Sequence, residues 1–226
     1  MTLLALTLWI ALGAFTAGLL GALTGLGGGV VIVPMLTLLF HVSIRYAIGA
    51  SLVSVIATSS GAAAAYVREG YTNIRVGMFL EMATTAGAIA GGVLAAHLSA
   101  AVVSVVFGVV LIVSALLTLR AHGDVPDTLP PDPLAQRLHL DSSFPTPDGP
   151  RAYRVHHLWG GFSLMLVAGT LSSLLGIGSG AVKVLAMDRI MRLPFKVSTT
   201  TSNFMIGVTA AAGAGVYLNR GHIDPA

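Results

Sequence analysis

Two glycine clusters are the places in this 226-residue chain where the backbone itself could do chemistry. The first reads Gly21-Ala22-Leu23-Thr24-Gly25-Leu26-Gly27-Gly28-Gly29 and runs on through Val30–Val33 to Pro34. The second reads Gly176-Ile177-Gly178-Ser179-Gly180-Ala181-Val182-Lys183. Glycine costs roughly 1 kcal/mol relative to alanine inside a helix, and in an apolar environment every freed backbone group needs a partner. Such density points either to close helix–helix packing through small residues or to an opened backbone ahead of a new helix. An opened backbone presents N–H groups and the positive end of a helix dipole, which attract anions without a formal charge. Gly25, Gly27, Gly28, Gly29, Gly176, Gly178 and Gly180 are therefore candidate anion contacts. A nucleotide-binding loop does not fit, since no Gly-Lys-Ser/Thr ending follows and no strand–helix unit with a distal acid surrounds either cluster.

Side chains reinforce the second cluster. Lys183 stands in an otherwise apolar stretch. A lysine there supplies a fixed positive charge for an anion, snorkels from a helix end, or pairs with Asp188 five residues on. Hydroxyl-rich helix starts follow each cluster: Ser51, Ser54, Thr58, Ser59 and Ser60, then Ser198, Thr199, Thr200, Thr201, Ser202 and Asn203. Ser51, Thr201, Ser202 and Asn203 are the candidates for replacing part of an anion's hydration shell, although Ser and Thr also serve as interhelical packers. Glu81, alone among acids in the run 76–97, is a proton-coupling candidate or an interfacial residue. Gly87 and Gly91 form a G-x-x-x-G packing pair. The seven histidines form no metal-ligand spacing and there is no cysteine, so the residues call for no metal, cofactor or disulfide. No nucleophile–base arrangement with supporting context appears, so the chain reads as a non-enzyme.

The elements that carry these residues are apolar. Hydrophobic residues make up 55% of the chain and charged residues 9%, against roughly 25% charged in soluble domains. A bilayer is the natural solvent for such a surface. The 12 basic side chains are spread thinly, which is not a nucleic-acid footprint. Helical runs are expected at about 3–24, 29–40, 46–67, 76–97, 99–119, 157–175, 180–191 and 197–218. Most approach the ~20 residues that cross the hydrocarbon core. The runs 29–40 and 180–191 are too short to cross alone, and each directly follows a glycine cluster. Residues 1–23 read as a retained first helix rather than a signal peptide, because no Lys or Arg precedes them. Residues 121–156, rich in Pro and Asp, read as a polar loop between residues 1–120 and 157–226.

These two flanking regions are copies of one module. Sliding the chain on itself aligns Gly18–Gly70 with Gly169–Gly221 without a gap. Gly25, Gly27 and Gly29 fall on Gly176, Gly178 and Gly180, Ser51 on Ser202, Thr58 on Thr209, and Tyr66 on Tyr217. The second copy ends soon after Asp224 and lacks counterparts of the runs 76–97 and 99–119, so it is expected to be C-terminally incomplete, its core needing lipid, a second copy of the chain or a partner. If every run spans, loops on one side hold Arg68, Arg75, Arg120, Arg137, Arg151, Arg154, Arg189, Arg192 and Lys196, and the other side only Arg45 and Arg220. The positive-inside rule then places the N-terminus outside, and five segments per half make the repeats inverted. The expected fold is an all-α, polytopic membrane bundle of two inverted repeats with glycine-broken helices.

Gly25–Pro34 in the first copy resembles the glycine-rich break of the TauE/SafE family, the sulfite-exporter-like permeases. The second copy resembles it further at Gly176–Gly180, Lys183-Val184, Met187, Pro194, Lys196, Thr201–Ala210, Gly221 and Asp224-Pro225. Ser179, where the family has glycine, and Leu185, at the position of Pro34, depart from the pattern. The resemblance implies a permease or exporter of a small sulfur-containing anion, such as sulfite or an organosulfonate, in a bacterial inner membrane. The competing reading is a non-transporting membrane scaffold or assembly factor whose glycines serve packing alone.

Overall fold

The computed structural model describes residues 3–119 and 132–223. Asp224-Pro225 and the first part of the expected polar loop lie outside them. The helices are α1 (Leu3–Thr24), α2 (Gly29–Pro34), α3 (Ile44–Arg68), α4 (Ile74–His97), α5 (Ala100–Leu119), α6 (Pro133–Arg137), α7 (Leu158–Leu175), α8 (Gly180–Leu185) and α9 (Phe195–Leu218). Every apolar run expected to be helical is helical. By length and composition, Thr7–Thr24 within α1, α3, α4 and α7 are able to cross a membrane. Trp9, Phe15, Leu23, Met78, Val105 and Ile112 point outward with more than half their surface exposed, as lipid-facing side chains do. The fold is a helical membrane bundle.

Left-handed backbone at Gly25, Gly27 and Gly28 (φ +74°, +82° and +77°) ends α1 and starts α2 in a new direction. Gly176 and Gly178 (φ +68° and +70°) do the same between α7 and α8. An L side chain is strained there, and Ser179 accepts that strain at φ +47°. Each short helix then widens into one π-helical turn, Met35–Leu39 after α2 and Ala186–Ile190 after α8. Pro34, which has no N–H, precedes the first turn, yet the second forms behind Leu185, so the wide turn does not depend on proline.

Two long pairings hold the bundle, α3 along α9 and α4 along α7, with α4 also against α9. Small residues make the second pairing close. Cβ atoms added to Gly87, Gly91 and Gly169 would run into the backbone of Leu166, Thr170 and Thr84 respectively, so the G-x-x-x-G pair is a packing device.

The described part of the polar loop is folded rather than irregular. After α6 it forms a hairpin, β1 (Ser142–Thr146) antiparallel to β2 (Gly149–Tyr153), with Ser142 opposite Tyr153. Ala135, Leu140 and Val155 are buried in one cluster with Val76, Leu158, Met187 and Met191. Two of the aspartates that made this stretch look solvated, Asp132 and Asp141, bind backbone amides. Asp132 accepts from the amides of Leu134 (2.9 Å) and Leu158 (3.0 Å), and Asp141 accepts from that of Val155 (2.8 Å). Burial opposes ionisation of Asp132, but the amides of Leu158, Leu134 and Ala135, with nearby His157, outweigh it and hold the carboxyl below its ordinary value. Asn73, at the start of α4, ties this cap to the bundle by donating to Leu140 O and Tyr153 Oη, both at 2.9 Å.

Candidate functional site: two crossed breaks and a buried lysine

The two glycine breaks touch each other, and the contacts are reciprocal. Ser51 on α3 donates to Gly176 O at 2.7 Å, and Ser202 on α9 donates to Gly25 O at 3.0 Å. Each break is thus held by the serine of the other half, and the two serines are the pair that the repeat register superposes. The packing repeats the pattern. A Cβ on Gly27 or on Gly178 would meet the same two atoms, Ile206 Cγ2 at 3.0 Å and Val55 Cγ1 at 3.3 Å. A Cβ on Gly29 would strike Gly176 O, and one on Gly180 would strike Gly25 O. Gly25 lies against Thr199 and Gly176 against Ile48, again register mates. Only glycine permits this backbone-to-backbone crossing.

Six of the twelve expected anion contacts therefore meet here: Gly25, Gly29, Gly176, Gly180, Ser51 and Ser202. Gly27 and Gly178 adjoin them across Val55 and Ile206. Gly28 packs instead on Ala17 of α1. Asn203 lies alongside, its Nδ2 donating to Ala22 O at 2.8 Å while its buried Oδ1 has no partner. Thr201 faces α4, where its hydroxyl accepts the Asn73 amide at 3.0 Å.

The last of the twelve, Lys183, forms a second group with the proton-coupling candidate Glu81. Lys183 is fully buried, and its Nζ donates to Thr209 Oγ1 at 2.5 Å. Thr209 in turn donates to Glu81 Oε1 at 2.6 Å, and Thr85 donates to the same oxygen at 3.1 Å. Glu81 Oε2 stands 4.0 Å from Lys183 Nζ, buried and without a hydrogen-bond partner. The partner of Lys183 is therefore Glu81 rather than Asp188, which sits 3.8 Å from Arg189. Glu81 is buried within the bundle. An isolated charge here would be costly, whereas the bridged pair is neutral as a unit.

Thr209 joins lysine to acid, a role that its residue type alone does not announce. Two signals pointed to it: its repeat mate Thr58, and its place seven residues after Ser202 on one face of α9.

A family model described as Sulfite exporter TauE/SafE matches residues 10–226. The chain belongs to this family. It is a family of membrane transporters, in keeping with the apolar helices and the paired breaks. Among its relatives, the probable membrane transporter protein YunE of Bacillus subtilis is 29% identical over 215 residues, covering 92% of this chain and 77% of that protein. YdhB of the same organism, also a probable membrane transporter protein, is 26% identical over 93% of this chain and 78% of its own length. The probable membrane transporter protein MJ0441 of Methanocaldococcus jannaschii is 26% identical over 96% of this chain and 73% of its own length. No solved structure gives a significant match.

Proposed function

We propose that this protein is a multi-pass permease of a bacterial inner membrane that carries a small sulfur-containing anion, such as sulfite or an organosulfonate. The observation that carries the reading is the fully buried Lys183, three residues after the second break, in a chain of the sulfite exporter family. Lysine supplies the charge that an anion needs in a medium of low polarity. The crossed breaks supply the moving part. They are joined by two serine hydrogen bonds and by glycine contacts, and on this reading they part and re-form. On this reading the repeats are inverted, and the arrangement described is a closed one, with Ser51 and Ser202 turned to carbonyls that a substrate would replace.

Flux of sulfite, thiosulfate and sulfoacetate into proteoliposomes tests the proposal. Wild type is expected to carry at least one of them, Lys183→Ala to lose flux by tenfold or more, and Gly28→Leu to lose it by jamming α2 against α1. Unchanged flux in both variants would remove the proposed site. The close packing of the breaks also suits a scaffold, which predicts no flux of any anion by wild type.

A further inference from the structure

We infer that Lys183, Thr209 and Glu81 form a proton–anion cotransport site, in which one proton accompanies each monoanion across the membrane in the same direction. The inference rests on the anion-permease reading and adds what drives the transport.

The geometry carries it. Lys183 has three N–H donors, and its one hydrogen-bond partner among the described residues is Thr209, so two donors remain for an anion. Glu81 has one oxygen satisfied by Thr209 and Thr85, while Oε2 has no hydrogen-bond partner and faces the ammonium across 4.0 Å. A proton on Oε2 leaves the hydrogen bonds to Oε1 in place. Charge balance then dictates the order of events. The empty site holds one positive and one negative charge and is neutral. An anion on Lys183 would leave it at minus one, which a buried, low-dielectric position strongly disfavours. Protonation of Glu81 restores neutrality. The loaded site is therefore ammonium, carboxylic acid and anion. On release the anion departs, Oε2 returns its proton to the same aqueous side, and Lys183 recovers its internal partner.

Among the described residues, no other ionisable group bonds to the pair. α4 carries only Arg75 and His97 besides Glu81, near its two ends. α5 and α7 carry none, and α9 carries Lys196 in its first turn and Tyr217 in its last. Lys196 lies over the Tyr71 ring, and Asp188 and Arg189 follow α8 in the π-helical turn. On α3, which packs on α9, Arg45, Tyr46, Tyr66 and Arg68 stand near the two ends. The cap meets α4 at Asn73 and at Arg75, whose guanidinium donates to His139 O at 2.9 Å, eight and six residues before Glu81, and none of its Asp132, His139, Asp141, Tyr153, His156 and His157 bonds to the pair. The first half has no such site: Ile32 occupies the position of Lys183, and Thr58 bonds only carbonyls of its own helix.

Radiolabelled methanesulfonate, which stays a monoanion throughout, is the probe in proteoliposomes containing a pH dye. Wild type is expected to accumulate it about tenfold per pH unit when the outside is acidic, acidifying the lumen as it does so. Glu81→Gln is expected to keep exchange of labelled for unlabelled anion while losing accumulation, and Lys183→Ala to lose both. Gradient-driven accumulation by Glu81→Gln, or wild-type accumulation without acidification, would overturn the cotransport. A second measurement needs neither substrate nor a working Glu81 variant. Lys183→Met removes the ammonium, so Glu81 should take up a proton and show the infrared carbonyl stretch of a carboxylic acid, missing in the double variant with Glu81→Gln. Absence of that band would equally overturn the proposal. If the band appears but wild type moves none of sulfite, thiosulfate, sulfoacetate and methanesulfonate, it is the sulfur-anion reading that falls.

Discussion

At the scale of single residues, the Thr209 hydroxyl is the one whose removal is most informative. It has one proton and two nearby acceptors, Glu81 Oε1 at 2.6 Å and Met205 O at 3.0 Å, so the shorter, charge-assisted bond takes the proton. Its lone pairs receive Lys183. Valine has nearly the same shape and neither capability, and the direct gap between Lys183 and Glu81 is 4.0 Å. Thr209→Val is expected to destabilise the protein by about 1–3 kcal/mol, the usual range when buried polar groups lose a shared partner. Thr58→Val, at the repeat mate, removes only bonds to Ser54 O and Val55 O of its own helix and should cost less than about 1 kcal/mol. Unfolding midpoints in detergent micelles compare the two, with Thr209→Ser expected to recover most of the loss. Equal costs at the two positions would mean that the bridge contributes nothing.

At the scale of elements, the breaks depend on backbone approach more than on helix propensity. Gly180→Ala would place its Cβ on Gly25 O, a backbone atom that cannot swing aside, in the manner of overpacking that costs about 1–3 kcal/mol. Gly61→Ala on α3 meets nothing within 4 Å and is expected to be neutral or stabilising by up to about 1 kcal/mol. Melting temperatures of the two variants check this, and a Gly180→Ala protein as stable as Gly61→Ala would contradict the crossing. The breaks were legible in the sequence because glycine clusters interrupt apolar runs at matching register, and helix limits followed from the same interruptions. The pairing of Lys183 with Glu81 was not legible. They are 102 residues apart by number, and they meet because α4 and α8 both dock on α9, a tertiary fact that no local pattern encodes. The cap was hidden for a related reason: Asp132 and Asp141 read as solvated acids, whereas their carboxylates cap backbone amides.

At the scale of the whole molecule, the reciprocal serine bonds turn a sequence repeat into a mechanical prediction. Loss of the Ser202 hydroxyl releases Gly25 in the first break, and loss of the Ser51 hydroxyl releases Gly176 in the second. If the proposed inverted arrangement holds, the two releases open the molecule toward opposite faces of the membrane, since inversion carries one break onto the other with its direction reversed. The natural chain has no cysteine, so single cysteines can be introduced without background. Val30→Cys and Ala181→Cys are register mates, one residue after Gly29 and Gly180. With a membrane-impermeant maleimide, Ser202→Ala is expected to raise labelling of Val30→Cys from one face, and Ser51→Ala that of Ala181→Cys from the other. Labelling of both from the same face would rule out inverted repeats. Equal labelling with and without the serine substitutions would show that the two hydrogen bonds do not hold the breaks closed. The asymmetry of the site sharpens the expectation. Only the second half carries Lys183, so the Ala181→Cys position alone should be protected by bound methanesulfonate, and Val30→Cys should not respond to it.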